Sequence, residues 1–220
     1  MTFILSEIVE SYYHLDMLNN IVIHGEAGVG KTAYSLKVLN EIYRDWDKAF
    51  DYFFISLLDF YYFVKDYVER EECIKVVVLD DITQDELNMY QWNQKKAKSF
   101  AKFLIGARNV VKNIIYTDPK SFINVAVRRM ENIKIDVIPI DDTISEARIY
   151  KSHSSSFSDY YYKVGRDIFS RYLPNDVYKR YMRLRWNKSK KVLYDAISEY
   201  EEALKEEKSK KKRRKKNQRK

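Results

Sequence analysis

One cysteine, Cys73, occurs in 220 residues. That excludes a disulfide framework and a cysteine-built zinc cluster. The three histidines, His14, His24 and His153, form no metal-ligand spacing, and no Ser/His/Asp hydrolase arrangement is apparent. Glycine (5) and proline (3) are scarce, which predicts helix-rich structure with few loops. No apolar run reaches membrane-spanning length. Glu7, Glu10 and Asp16 within the first nineteen residues argue against a secretory leader. The expectation is an intracellular, cytoplasmic protein with no membrane partner.

Charge and tyrosine are plentiful. Hydrophobic residues make up 45% of the chain, enough for one sizeable domain plus an extension. The net charge of +8 is unevenly spread. Residues 1–170 carry 21 basic and 25 acidic side chains, a net of −4; residues 171–191 carry 8 and 1; residues 192–207 carry 1 and 6; residues 208–220 carry 10 and 0. A mildly acidic body followed by two basic blocks points to a polyanion partner at the C-terminal end.

Residues 25–32, Gly25-Glu26-Ala27-Gly28-Val29-Gly30-Lys31-Thr32, fit G-x-x-x-x-G-K-[ST] at every fixed position. Ile21-Val22-Ile23 before them reads as a short buried strand. The segment from Ala33 to Arg44 reads as a helix, with Leu36, Leu39, Ile42 and Tyr43 at helical spacing. Glycines let backbone N–H groups crowd an anion, and the helix adds its positive end. Gly25 to Ala33 would therefore cradle the phosphates of ATP, Lys31 would reach the β- and γ-phosphates, and Thr32 would place its hydroxyl on Mg²⁺.

Further strands are predicted over 51–57, 75–80, 113–117 and 133–138, alternating with helices over 59–70, 85–111 and 119–130; a first helix spans 3–18. This pattern predicts an α/β fold with a parallel five-stranded sheet flanked by helices. Ala147 to Tyr150 reads as one more short strand, and Ser152 to Ser158 as a junction. The expected organisation is a core over 1–151, a helical C-terminal region over 152–207, and a disordered polybasic tail over 208–220.

Val76-Val77-Val78-Leu79-Asp80-Asp81 is an apolar strand ending in two carboxylates, some fifty residues after the glycine loop. Asp80 would hold Mg²⁺, and Asp81 would orient or deprotonate an attacking water.

This order of parts resembles the P-loop ATPases with an additional catalytic strand. Within them it is most similar to AAA+ replication initiators, helicase loaders and transposition helper ATPases. Val78-Leu79-Asp80-Asp81-Ile82 resembles their Walker B segment. Ile114-Ile115-Tyr116-Thr117-Asp118 falls where their sensor 1 strand lies, with Thr117 as the sensor. The stretch from Val127 to Val137 resembles their arginine-finger box; Arg129 best matches the finger and Arg128 is its alternate. The resemblance covers residues 20–140 and implies a P-loop NTPase sheet, Mg²⁺-dependent ATP hydrolysis and a homo-oligomer, because a finger acts across a subunit boundary. The family's sensor 2 arginine has no clear counterpart: Arg166 and Arg171 are both available, and spacing selects neither.

In 171–191, Arg171, Lys179, Arg180, Arg183, Arg185, Lys188, Lys190 and Lys191 are interleaved with Tyr172, Tyr178, Tyr181 and Trp186. Cations can neutralise phosphates and aromatics can stack on bases. Together with 208–220 this predicts nonspecific DNA binding. The leading reading is an ATPase acting on or with DNA, as an initiator or loader or in viral or plasmid genome handling, with room for a protein partner. Two alternatives are a nucleoside or nucleotide kinase-like phosphotransferase and an ATP-gated binding module with little turnover.

Overall fold

The structure is a computed structural model that describes residues 2–81, 94–119, 131–154 and 159–217. The chain divides into two units, Met1–Leu173 and Pro174–Lys220.

The first unit contains, in chain order, α1 (Ile4–His14), β1 (Asn19–Gly25), α2 (Lys31–Tyr43), α3 (Trp46–Asp51), β2 (Phe53–Phe54), α4 (Leu57–Glu69), β3 (Val77–Leu79), α5 (Gln94–Ala107), β4 (Asn113–Pro119), β5 (Ile133–Pro139), β6 (Ile144–Ser154) and β7 (Asp159–Ser170). Among the described residues they form a seven-stranded sheet in the order β2-β3-β4-β1-β5-β6-β7. The first five strands run parallel, and β6 and β7 add antiparallel pairings. Ile21, Ile23, Val77, Val78, Ile114 and Ile115 are fully buried, the continuous apolar run expected of strands covered on both faces.

One core joins Val22, Val77, Leu79, Ile114 and Tyr116 of the sheet to Leu57, Phe60 and Val64 of α4 and Phe100 and Leu104 of α5. The spacing of Leu57, Phe60 and Val64 gives α4 one apolar stripe. The Ser56 hydroxyl accepts from Asp59 N–H at 3.4 Å and caps that helix.

α1 and α2 are fastened to β7 through Asp167. Its buried carboxylate accepts from the Tyr34 hydroxyl at 2.5 Å and from the N–H groups of Ile4 and Leu5 at 2.9 and 3.3 Å. One side chain thus satisfies two orphan donors of the first turn of α1 and sets a negative charge at its positive end. Burial, and after it the charge of Asp167, hold the Tyr34 hydroxyl pKa well above its ordinary value, so Tyr34 stays the donor.

The sheet has seven strands and is mixed, where five parallel strands are predicted. The boundary expected at residue 151 falls inside β6, and residues 159–170 of the expected helical region are strand. The inward positions of β7 include Gly165 and Asp167, which break the apolar alternation that would have marked a half-buried strand. β2 is two residues long because Asp51, placed in a strand by its apolar sequel, ends α3 instead. Pro119 is the last residue of β4, and residues 120–130, where a helix is expected, lie outside the described residues. The second unit is the helix α6 (Asn175–Asn217), which runs on into the tail predicted to be disordered. Its tail residues are chiefly Lys and Arg, which are good helix formers.

Asp167→Ala is expected to destabilise the fold by about 3 kcal/mol, since Tyr34 and the α1 N–H groups lose their shared acceptor. Thermal unfolding should show a fall of about 6–12 °C. Tyr34→Phe should cost less, and the double variant less than the sum of the two.

Candidate active site

The glycine loop leaves β1 at Gly25 and enters α2 at Lys31, so its sequence context is as predicted. Gly28 and Gly30 have φ of 83° and 95°, in the left-handed region open to glycine. Gly30 is the N-cap of α2, and no side chain caps that end. Lys31 is buried, and its ammonium donates to the carbonyls of Gly25 and Glu26, both at 2.9 Å, tying the two ends of the loop together. Glu26, Ala27 and Gly28 are exposed, whereas Val29 and Ala33 are buried. The Ser145 hydroxyl of β6 donates to the Val29 carbonyl at 2.8 Å. A Cβ on Gly25 would stand 2.8 Å from the Val137 carbonyl, and one on Gly30 would stand 2.8 Å from Arg171 Cγ and 3.2 Å from Phe169. The loop is therefore backed by β5, β6 and β7.

The acidic half of the site forms because β4 lies between β1 and β3. Leu79 pairs with Tyr116 and Ile23 with Thr117, so the C-terminal ends of the three strands are level. Asp80 follows β3 directly and is buried, as is Thr117. Asp80 Oδ1 accepts from the Thr32 hydroxyl at 2.9 Å and from the Thr117 hydroxyl at 2.7 Å. Thr117 Oγ1 in turn accepts from Asp81 N–H at 3.1 Å. Asp81 has φ of 50°, a strained conformation for a residue with a side chain, of the kind found at functional sites. The structure brings together Lys31, Thr32, Asp80, Asp81 and Thr117. Arg128 and Arg129 lie outside the described residues.

The donor set fits Mg²⁺. Thr32 and Asp80 offer hard oxygens within hydrogen-bond distance of each other beside the phosphate loop. Magnesium characteristically takes one or two protein oxygens and completes its shell with phosphate and water. No cluster of three or more His, Cys, Asp or Glu side chains occurs among the described residues, and such a site needs none. When bound, the ion would neutralise charge on the terminal phosphates. The protein's own part is to hold Thr32 and Asp80 in place through Thr117 and to set Asp81 beside them.

A cavity of about 440 Å³ adjoins the loop, lined among the described residues by His24, Gly25, Glu26 and Val29 on one side and residues 136–139 of β5 on the other. His24 Nε2 stands 3.9 Å from a carboxylate oxygen of the buried Glu131. His24 is thus a strand-end residue in contact with an acid.

Three residues are missed by sequence reasoning: Ser145 and Phe169, which back the loop, and Asp167, which ties β7 to α1 and α2. They carry no motif and lie more than a hundred residues downstream. Arg171 is grouped with the basic stretch by sequence, yet it lies in the first unit against Gly30. In α6, Lys179, Arg180, Arg183, Arg185, Lys190 and Lys191 are exposed, as are Tyr178 and Trp186, and Lys190 Nζ lies 6.0 Å over the Trp186 ring. Tyr181 is buried and so is not available for stacking. No helix among the described residues is long and apolar enough to cross a membrane.

A phosphate loop between a parallel strand and a helix, with an acid pair one strand removed and a hydroxyl on the strand between, is a P-loop NTPase type of α/β arrangement. No family model matches the chain. It is 30% identical over 106 residues to the uncharacterized protein B-251 of Sulfolobus spindle-shape virus 1, covering 44% of this chain and 42% of B-251. It is 23% identical over 150 residues to the uncharacterized protein ORF286 of Acidianus two-tailed virus, covering 66% of this chain and 52% of ORF286. The chain spans about half the length of the curated relatives it matches. Similar solved structures include the N-terminal domain of zonular occludens toxin from Neisseria meningitidis, at 11% identity over 74% of this chain and 98% of that one, TM-score 0.39. Another is the DnaC helicase loader, at 21% identity over 59% and 78%, TM-score 0.32.

Thr117→Val removes a donor to buried Asp80 and an acceptor for Asp81 N–H. It should destabilise the protein by about 2–3 kcal/mol in urea unfolding, whereas Thr117→Ser should recover most of that.

Proposed function

We propose that this chain binds ATP with Mg²⁺ and hydrolyses it, in the service of work on or with DNA. The observation that carries the reading is the Thr32–Asp80–Thr117–Asp81 hydrogen-bond chain beside the Lys31 loop. A phosphate cradle alone serves many binding proteins. A cradle with a metal-holding carboxylate and a second carboxylate one residue on is equipped for in-line attack by water. Lys31 and Thr32 hold phosphate and metal, Asp80 holds the metal, and Asp81 orients the water. Thr117 fixes both acids. Arg129, or Arg128, is proposed as the finger completing the site of a neighbouring copy in a homo-oligomer.

The exposed cations of α6 and the ten basic residues of 208–220 support nonspecific DNA affinity. Both curated relatives are viral proteins, which favours a viral genome-handling role within this reading.

The test is steady-state ATP hydrolysis with and without DNA, on wild type, Lys31→Ala, Asp81→Asn and a chain ending before Lys208. Lys31→Ala should abolish turnover. Asp81→Asn should lower it by about a hundredfold or more while ATP still binds. The truncated chain should hydrolyse ATP alone as wild type does but respond less to DNA. Its log–log salt slope should be shallower by about 0.9 for each phosphate no longer neutralised. Turnover that ignores DNA and delivers phosphate to a nucleoside would replace this reading with the phosphotransferase one. ATP binding without turnover would leave the gated module.

A further inference from the structure

We propose that α6 pairs with the same helix of a second copy, antiparallel and centred on Leu193, so that the basic half of each helix lies along the acidic half of the other.

Tyr178, Met182, Trp186, Leu193, Ile197 and Tyr200 recur at intervals of three, four or seven residues, which sets them on one face of the helix. All six are exposed, Trp186, Leu193 and Tyr200 by 61, 62 and 67%. Val177 and Tyr181, the buried residues of α6 among those described, fall on a different side of it. Every residue over 189–202 is exposed. A helix draws most of its stability from packing an apolar face, and here such a face about 33 Å long stands in solvent. Single apolar residues on a surface are ordinary, whereas a continuous aromatic and aliphatic stripe marks a contact surface.

Charge selects the occupant. Residues 179–191 hold seven basic side chains and no acid, and residues 195–207 hold six acids and one lysine. The helix runs through both segments without a break, so the chain cannot turn back to lay one against the other. A second copy set parallel and in register would place cations on cations and acids on acids, which repel. Set antiparallel, with the two Leu193 side chains meeting, it places 179–191 of each copy along 195–207 of the other. Trp186 then falls opposite Tyr200, and Ser189 opposite Ile197, so the apolar stripes meet in the same register that matches the charges. The run 208–220 is as basic but holds no apolar residue, and it lies beyond the paired stripe. This contact is two-fold and self-complementary, unlike the head-to-tail contact that a finger arginine makes.

The experiment is sedimentation equilibrium of the full-length protein without nucleotide, over a range of concentrations. Wild type should dimerise, with a dissociation constant that rises with salt as the opposed charges are screened. Leu193→Glu sets two like charges at the centre of the pair and should raise that constant about a hundredfold. Should circular dichroism show that Leu193→Glu loses helix, Trp186→Ala and Tyr200→Ala decide: each should raise the constant about tenfold in helical protein. Orientation is read by disulfide cross-linking in a Cys73→Ser background. Chains carrying Ser189→Cys and Ile197→Cys should join one another when mixed. Ile197→Cys alone should not cross-link, its two copies lying about 12 Å apart along the axis. Wild type that is monomeric at every concentration, a dimer that the stripe variants leave unchanged, or cross-linking of Ile197→Cys to itself overturns the proposal. A monomer whose Trp186→Ala variant loses affinity for single-stranded DNA also overturns it, and makes the stripe a base-stacking face instead.

Discussion

A single carboxylate oxygen, Asp80 Oδ1, gathers three segments that are far apart in sequence. It receives the hydroxyl of Thr32 from the start of α2 and that of Thr117 from the end of β4, while Asp80 itself directly follows β3. Because the site is buried, each bond is strong, and each unmet group would be expensive. The sheet order makes this gathering possible. With β4 between β1 and β3, a residue of β4 touches the acid of β3 while the helix after β1 still reaches it. Thr32 and Asp80 are already in contact, so they would hold a metal with little reorganisation of the protein.

The loop has a second set of supports on its far side. β6 contributes the Ser145 hydroxyl to the Val29 carbonyl, and β7 contributes Phe169 and the stem of Arg171 at Gly30. Asp167, one inward position earlier, ties the same strand to Tyr34 and to the first turn of α1. The β6–β7 hairpin is therefore part of the glycine loop's scaffold, holding α2 from the side opposite the acids. A glycine loop is soft by composition, and rigid elements around it are what give it one shape.

Some of this was legible in the sequence. Residues 25–32 are constrained by chemistry at fixed spacing, and the four valine and leucine residues before Asp80 mark a strand buried on both faces. Thr117 was legible only through the resemblance, because one hydroxyl at a strand end has no signature of its own. The hairpin was not legible: Gly165 leaves room for Ile4 and Asp167 is an acid serving hydrogen bonds, so neither shows the apolar alternation by which strands are recognised. Arg171 was assigned to the basic stretch because charge counts along a chain do not see where the fold turns. Arg128 and Arg129 lie outside the described residues, so the finger stands on sequence alone.

Three of the chain's five glycines sit in the phosphate loop, and all three have positive φ. Among the described residues only Asp16, Arg44, Glu71 and Asp81 share that sign of φ without being glycine. Elsewhere among the described residues, the backbone lies where any ordinary residue fits. Among the described residues, the glycines that need positive φ are thus gathered into one short segment. Distant kin of this chain are better sought by the glycine segment together with two adjacent acids at the end of a short valine-rich strand than by identity along the whole length.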